Sequence, residues 1–176
     1  MYYADLRLIP SEVSDSVLMS MLMQRLHPYF VETAGVVGAS FPMLSGSGLG
    51  SVLRLQSADP DSLHAMPEVD FALRGGVGEV PADATSIRVK RVQLKSSAAR
   101  IAKRYAKRHQ CSIDEAMKRY DEFSEQRTAL PFFSMTSQSS GQQFRVFVAC
   151  EDSATRVAGK YSSYGLSNAG STVLCF

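Results

Sequence analysis

Few side chains in this chain are of a type and spacing suited to chemistry. The most concentrated set is the stretch from Ser86 to His109, SIRVKRVQLKSSAARIAKRYAKRH, which holds nine of the 19 Lys and Arg residues and no acidic residue. The chain as a whole is only +2, so everything outside this stretch is net acidic. A charge this local needs a local partner, and an anionic polymer is the first candidate. The second half of the stretch has helical spacing. At about 100° per residue, Arg100, Lys103, Arg104, Lys107 and Arg108 share an arc of roughly 140°, with Ala98, Ile101 and Tyr105 opposite. A solvated cationic face would normally interleave Asp or Glu at i,i+4, and here there is none. A membrane surface is the third possibility, although Ala and Tyr are poor substitutes for the bulky groups that enter lipid.

The remaining reactive types are sparse. Of the three histidines, His27 stands next to Pro28, His64 lies among polar neighbours, and His109 closes the basic stretch. Proline disfavours helix at the residue before it, so His27 is expected at a helix end or kink, where the carbonyl end of the dipole favours its protonated form. Taken alone, it reads as a surface or core-edge residue. Cys111, Cys150 and Cys175 are odd in number and widely spaced, which argues against a disulfide framework and a zinc site and suggests packed thiols. No Asp, Glu and His cluster has metal-ligand spacing, so neither metal nor cofactor is expected. Gly46-Ser47-Gly48-Leu49-Gly50 lacks both phosphate-loop signatures and reads as a hairpin-type connection.

These residues need elements to hold them. Tyr3 to Leu8 alternates as a half-buried strand. Ser14 or Asp15 can cap a helix with Val17, Leu18, Met21, Leu22 and Leu26 facing inward. Val36 to Phe41 and Ser51 to Gln56 read as strands, Asp61 to Met66 as a short helix capped by Asp59 or Ser57, and the pieces around Val69 to Val80 as a further strand. The order β-α-β-β-α-β is that of a ferredoxin-like unit. Pro81 to Thr85 is a polar bridge, which places a boundary between residues 1–84 and 85–176. Past it, the strand from Ile87 to Leu94 changes parity, implying a bulge or strand end near Lys90 that re-aims Arg91 and Gln93. Ser112-Ile113-Asp114-Glu115 is a capping box starting a second helix past Met117 and Tyr120, too acidic to act as a DNA-reading helix. Leu130 to Thr136 and Gln143 to Cys150 are strands flanking the polar loop Ser137 to Gln142, and Thr172 to Phe176 is a last apolar strand. No apolar run reaches 18 residues and no signal-peptide layout opens the chain, so a cytoplasmic protein is expected.

Leu26-His27, Gly38-Ala39-Ser40-Phe41-Pro42, Arg91-Val92-Gln93, the Arg/Lys helix, Ser137-Gln138-Ser139-Ser140-Gly141-Gln142-Gln143-Phe144-Arg145 and Tyr164-Gly165-Leu166-Ser167 follow one another at characteristic spacing. Together, along nearly the whole chain, they resemble the CRISPR type I-F endoribonuclease family, whose members cut repeat hairpins in precursor CRISPR RNA. The resemblance implies an α+β fold: an N-terminal ferredoxin-like domain, then a C-terminal modified ferredoxin-like domain carrying the RNA-binding helix. By it, His27 matches a general base, Ser137 the serine that positions the ribose at the cut, and Tyr164 a tyrosine packed beside the histidine. Arg91 and Gln93 match a pair that reads base edges, and Phe144 a ring that stacks beneath the terminal base pair. Arg104 and Arg108 match arginines docked in the major groove. Arg100, Lys103, Lys107 and His109 fall at phosphate contacts, and Ser139 joins the RNA-binding set. The chain departs from the pattern at Pro28, at two Lys in place of Arg on the basic face, and in a shortened region from Asp59 to Val80.

Such a set suits a reaction in which RNA supplies its own nucleophile. An imidazole with a pKa of about 6.5 can take the 2′-OH proton near neutral pH, and a serine and the docked stem can align the oxygen with phosphorus. The expected reaction is metal-independent, gives a 2′,3′-cyclic phosphate and a 5′-OH, and leaves the enzyme bound to the mature hairpin. Expected partners are the CRISPR repeat stem-loop and the other subunits of a type I-F surveillance complex, with no membrane and no metal. Two rivals remain open: a non-catalytic hairpin-binding subunit of a ribonucleoprotein, and a DNA-binding regulator.

Overall fold

The computed structural model describes residues 1–46, 48–94, 98–120 and 128–176, with every side chain among them except that of Arg100. They form two compact units, one of Met1–Val92 with Leu130–Phe176, the other of Gln93–Ala129. The fold is α+β with two antiparallel sheets, both in the first unit.

The first sheet is built from β1 (Tyr2–Leu8), β2 (Gly38–Ser40), β3 (Val52–Ser57), β4 (Ala72–Arg74) and β5 (Gly78–Glu79), with α1 (Asp15–Glu32) and α2 (Pro60–His64) between them. Its order is β2-β3-β1-β4, with β5 also on β1 and every pairing antiparallel. The element order through β4 is the β-α-β-β-α-β of the sequence reading and is consistent with a ferredoxin-like unit. Alternation in β1 sends Ala4, Leu6 and Leu8 into the core. Asp59 caps the five-residue α2 by accepting from the amides of Asp61 and Ser62, as its position before Pro60 favours.

Helix α1 differs from expectation in two respects. Its buried stripe is Leu18, Met19, Leu22, Met23, Leu26, Tyr29 and Phe30, while Val17 and Met21 are about half exposed. The stripe lies one position round from the one expected, because 18, 19, 22, 23, 26, 29 and 30 sustain the helical repeat to the end of the helix. The helix also does not stop at Pro28, which lies inside it, so of the expected helix end or kink the helix end is excluded, and His27 is an interior residue five positions before Glu32. A proline there costs about 3 kcal/mol. Its ring faces solvent, and burial of Tyr29 and Phe30 just beyond it, each worth about 1.5–3 kcal/mol, outweighs that cost. The helix-end dipole argument for a protonated His27 therefore lapses.

The second sheet comprises β6 (Thr85–Val92), β7 (Phe132–Thr136), β8 (Gln143–Ser153) and β9 (Val173–Cys175) in the order β7-β8-β6-β9. Of the two alternatives expected near Lys90, a bulge is absent, since β6 pairs with β8 in unbroken register from Ser86↔Ser153 to Val92↔Phe147, and the strand ends at Val92, two residues past Lys90. The parity change needs no bulge, because both faces of the strand are partly covered: Val89 is fully buried on one, and Val92 is half-buried opposite Phe147 on the other.

The two sheets share one core. Leu6, Leu26, Phe30, Leu53 and Leu55 belong to the same buried cluster as Val89, Phe133, Val146, Val148 and Val173. The buried Gln56 side chain on β3 joins them: its Oε1 accepts from Leu174 N at 2.8 Å and its Nε2 donates to Leu174 O. Arg54 binds both carboxylate oxygens of Asp5, at 2.7 and 2.9 Å, and donates to Phe176 O at 2.8 Å with its guanidinium over the Phe176 ring. The thiols are free, but Cys150 and Cys175 are exposed rather than packed.

The second unit is a helix pair, α3 (Ala98–His109) and α4 (Ile113–Lys118). Ala102, Ala106 and Ala116 are buried between them, with Ile101 and Tyr105 half-buried, while Lys103, Arg104, Lys107, Arg108 and His109 are exposed. Tyr105 stacks on His109 and accepts a hydrogen bond from Arg119 at 3.0 Å. The Ser112 hydroxyl caps α4 by accepting from Glu115 N at 3.1 Å. The helix ends at Lys118, short of Tyr120, and Asp121, Glu122 and Glu125 lie outside the described residues.

Candidate active site

Helix α1, the loop after β7 and the turn before β9 converge on a cavity of about 240 Å³. It is lined by His27, Met135, Thr136, Ser137, Gln138, Ser139, Phe144 and Tyr164. Five of the side chains singled out in the sequence, His27, Ser137, Ser139, Phe144 and Tyr164, therefore meet although up to 137 positions separate them. A wider groove of about 770 Å³ runs along α1 and β7 and shares Met135 and Thr136 with this cavity.

Each side chain is fixed by its own local structure. His27 is half-buried, on the turn of α1 between the buried Leu26 and Phe30. Its ring centroid lies 5.2 Å from that of Tyr164, at an interplanar angle of 46°. Tyr164 is carried by a tight turn in which the Ser162 hydroxyl accepts from Tyr164 N and Leu166 N, and Gly165 N donates to Ser162 O. Gly165 has φ +71°, and a Cβ there would come within 2.5 Å of the Phe30 ring and 2.9 Å of Ala39. Only glycine satisfies both demands. The turn is then pinned to both sheets, by Ala39 N donating to Gly165 O at 2.7 Å and Ser167 N donating to Val89 O at 2.7 Å.

Ser137 opens a compact loop closed by its own N–H to Gln142 O at 2.9 Å and by Gly141 N to Ser137 O at 2.8 Å, with Gly141 at φ +65°. Its hydroxyl lies 3.2 Å from that of Ser139, so the two form a hydrogen-bonding pair. Arg91 shares the parity of Val89 on β6, and its guanidinium stands 5.5 Å from the Tyr164 ring and 5.8 Å from the Phe144 ring. The cavity brings together an imidazole, two hydroxyls and two aromatic rings, and the Arg91 guanidinium stands near both rings.

Gln93, Lys103, Arg104, Lys107, Arg108 and His109 belong to the second unit, where all are exposed. Arg100 lies on α3 with its side chain outside the described residues. Sequence reasoning did not single out Met135 or Thr136, which line the cavity from β7, nor Gln138. The adjacency of Thr136 and Gln138 to Ser137 was the available signal. No group of three or more His, Cys, Asp or Glu among the described residues could hold a metal ion, and none of the described helices is long and apolar enough to cross a membrane.

His27 thus faces a paired-hydroxyl loop and an aromatic wall within an α+β frame of two antiparallel sheets. The family described as CRISPR-associated protein (Cas_Csy4) matches residues 3–176, and the chain belongs to it. It is 37% identical over 180 residues, covering 96% of each chain, to a protein of Pseudomonas aeruginosa (strain UCBPP-PA14) named CRISPR-associated endonuclease Cas6/Csy4. It is 34% identical over 175 residues to the protein of that name from Escherichia coli (strain UTI89 / UPEC), covering 94% of this chain and 95% of the other.

Proposed function

We propose that this chain is an endoribonuclease that binds the stem-loop of CRISPR repeat RNA and cuts the precursor at the 3′ base of that stem. The observation that carries the reading is the convergence of His27, Ser137 and Tyr164 on one cavity, in a chain whose curated relatives are named endonucleases. His27 acts as the general base that takes the proton from the 2′-OH. That oxygen bonds to phosphorus as the bond to the 5′-oxygen breaks, giving a 2′,3′-cyclic phosphate and a 5′-OH. Ser137 aligns the ribose, Tyr164 holds the imidazole against rotation, and the 2′-OH serves as nucleophile without a metal.

The rest of the set holds the stem. Phe144 offers a stacking face to the terminal base pair, and Arg91 and Gln93 read base edges near the cut. Arg104 and Arg108 enter the major groove, which an open stem end widens, while Arg100, Lys103, Lys107 and His109 meet phosphates and Ser139 completes the contacts. The product hairpin stays bound and joins the other subunits of a type I-F complex in the cytoplasm. The division into a histidine-bearing half, residues 1–84, and an RNA-binding half, 85–176, is supported by one antiparallel sheet in each.

His27→Ala tests the base. Single-turnover cleavage should fall by about 10²–10⁴-fold with hairpin affinity nearly unchanged. A hairpin carrying one 2′-deoxy substitution at the cut should resist the wild-type enzyme, and chelator should leave cleavage intact. Wild-type cutting by His27→Ala would instead leave the chain a hairpin-binding subunit.

A further inference from the structure

Among the described residues, strand β7 is the edge of the second sheet, so the backbone N–H groups on its outer side have no neighbouring strand there. Phe133 and Met135 point into the core, and the amides of Ser134 and Thr136 turn outward. Helix α1 supplies the missing acceptors from one turn spacing on a single face. The Ser20 hydroxyl accepts from Ser134 N at 3.0 Å while donating to Ser16 O at 2.8 Å. The Gln24 amide oxygen accepts from Thr136 N at 2.7 Å. Residues four apart on the helix thus meet residues two apart on the strand, a match of about 6 Å of rise on α1 to about 6.8 Å along β7.

The second of these pins stands next to the proposed chemistry on both elements. His27 is three residues past Gln24 and Ser137 one residue past Thr136. The helix between Gln24 and His27 is rigid, and Ser137 is held by its own loop closure, so the Gln24–Thr136 bond sets the distance between imidazole and hydroxyl. It does so just where Pro28 takes one backbone donor from the helix, the one that would bond the Gln24 carbonyl. We infer that Gln24, seconded by Ser20, is a positioning residue that fixes the register of α1 against β7 and thereby holds His27 opposite Ser137. These roles rest on the proposed roles of His27 and Ser137.

Gln24→Leu keeps the side chain's bulk and removes the acceptor, whereas Gln24→Glu keeps an oxygen that accepts the same N–H. Single-turnover cleavage, affinity for a hairpin blocked by 2′-deoxy substitution, and Tm are measured for both. Gln24→Leu should cut roughly 10- to 100-fold more slowly at saturating enzyme, as a displacement of about an ångström would cause, with affinity near wild type. Gln24→Glu should restore most of the rate. For Gln24→Leu the midpoint of the pH–rate profile should stay where the wild type has it, since Gln24 touches backbone and not the imidazole, and only the plateau should drop. Wild-type cleavage by Gln24→Leu, a rate loss in it matched by equal losses in affinity and Tm, a shifted midpoint in it, or a Gln24→Glu variant no faster than Gln24→Leu would each overturn the positioning role. His27→Ala, assayed beside them, separates the two readings. If it is inactive while Gln24→Leu cuts normally, only the positioning role fails, and if it cuts normally the general-base reading fails first.

Discussion

Beside the cavity, the turn at Gly165 admits no Cβ and carries the Tyr164 ring. The Tyr164 ring touches His27 on one side, Phe133 on another, and the Arg91 guanidinium beyond, all by ring contacts. If that ring limits the rotamers of His27, its bulk is what matters. Tyr164→Leu should slow single-turnover cleavage by about ten-fold, the scale of a loosened near-attack geometry, with Tyr164→Phe close to wild type. Rapid-quench time courses of the two variants on one hairpin make the comparison, and equal rates would assign the tyrosine to folding alone. That the ring lies there at all depends on Gly165, where a Cβ would collide with Phe30.

At the scale of elements, α3 and α1 invite separate tests. The exposed face of α3 carries Lys103, Arg104, Lys107 and Arg108 with no ion pair among the described residues, a high local charge held at fixed spacing. If it neutralises about five phosphates, log K should fall by several units per decade of salt. The double variant Arg104→Ala with Arg108→Ala should flatten that slope by nearly two. Binding titrations from low to moderate salt give the number, and an unchanged slope moves the RNA to another surface. Helix α1 is tied to α2 by the Tyr29 hydroxyl, which donates to Ser62 O at 2.7 Å. Burial pushes the Tyr29 phenol up to about 12, with Arg74 opposing and Asp59 adding to the shift. The folded state therefore holds this proton more tightly than the unfolded chain. Its contribution is complete below the ordinary value of 10 and is lost as pH rises through about 12. Tyr29→Phe should lose about 0.5–1.5 kcal/mol at neutral pH and show a shallower decline from pH 10 to pH 12 than the wild type, by urea unfolding at both ends of that window.

For the molecule as a whole, the decisive feature is that two sheets from distant parts of the chain share one core. Gln56 is the polar link: fully buried, it satisfies both backbone groups of Leu174 on the other sheet. Gln56→Leu leaves that N–H and C=O unpaired, each at a cost of about 1–3 kcal/mol. Urea unfolding should show a lower midpoint, and tyrosine fluorescence and far-ultraviolet circular dichroism should still move together, because the apolar core still couples the sheets. Two separated transitions in the wild type would contradict a single core.

What the sequence determined by itself was what short-range physics writes into it. Alternation gave β1, i,i+4 spacing of cations gave α3, Asp59 and Ser112 gave their caps, and the acid-free stretch gave a basic face. The collinear motifs gave the family and, with it, which residues to watch. The tertiary structure decided everything that depends on which surfaces meet. It carried α1 through Pro28, since burial of Tyr29 and Phe30 outweighs a lost backbone bond, and so moved His27 from a helix end to an interior turn. It kept β6 in register to its end at Val92, where parity had suggested a bulge or a strand end, because a strand covered on both faces can hold apolar side chains on either. And it chose Gln24, which no pattern marks, because an edge strand's need for acceptors exists only once the sheet has formed against the helix.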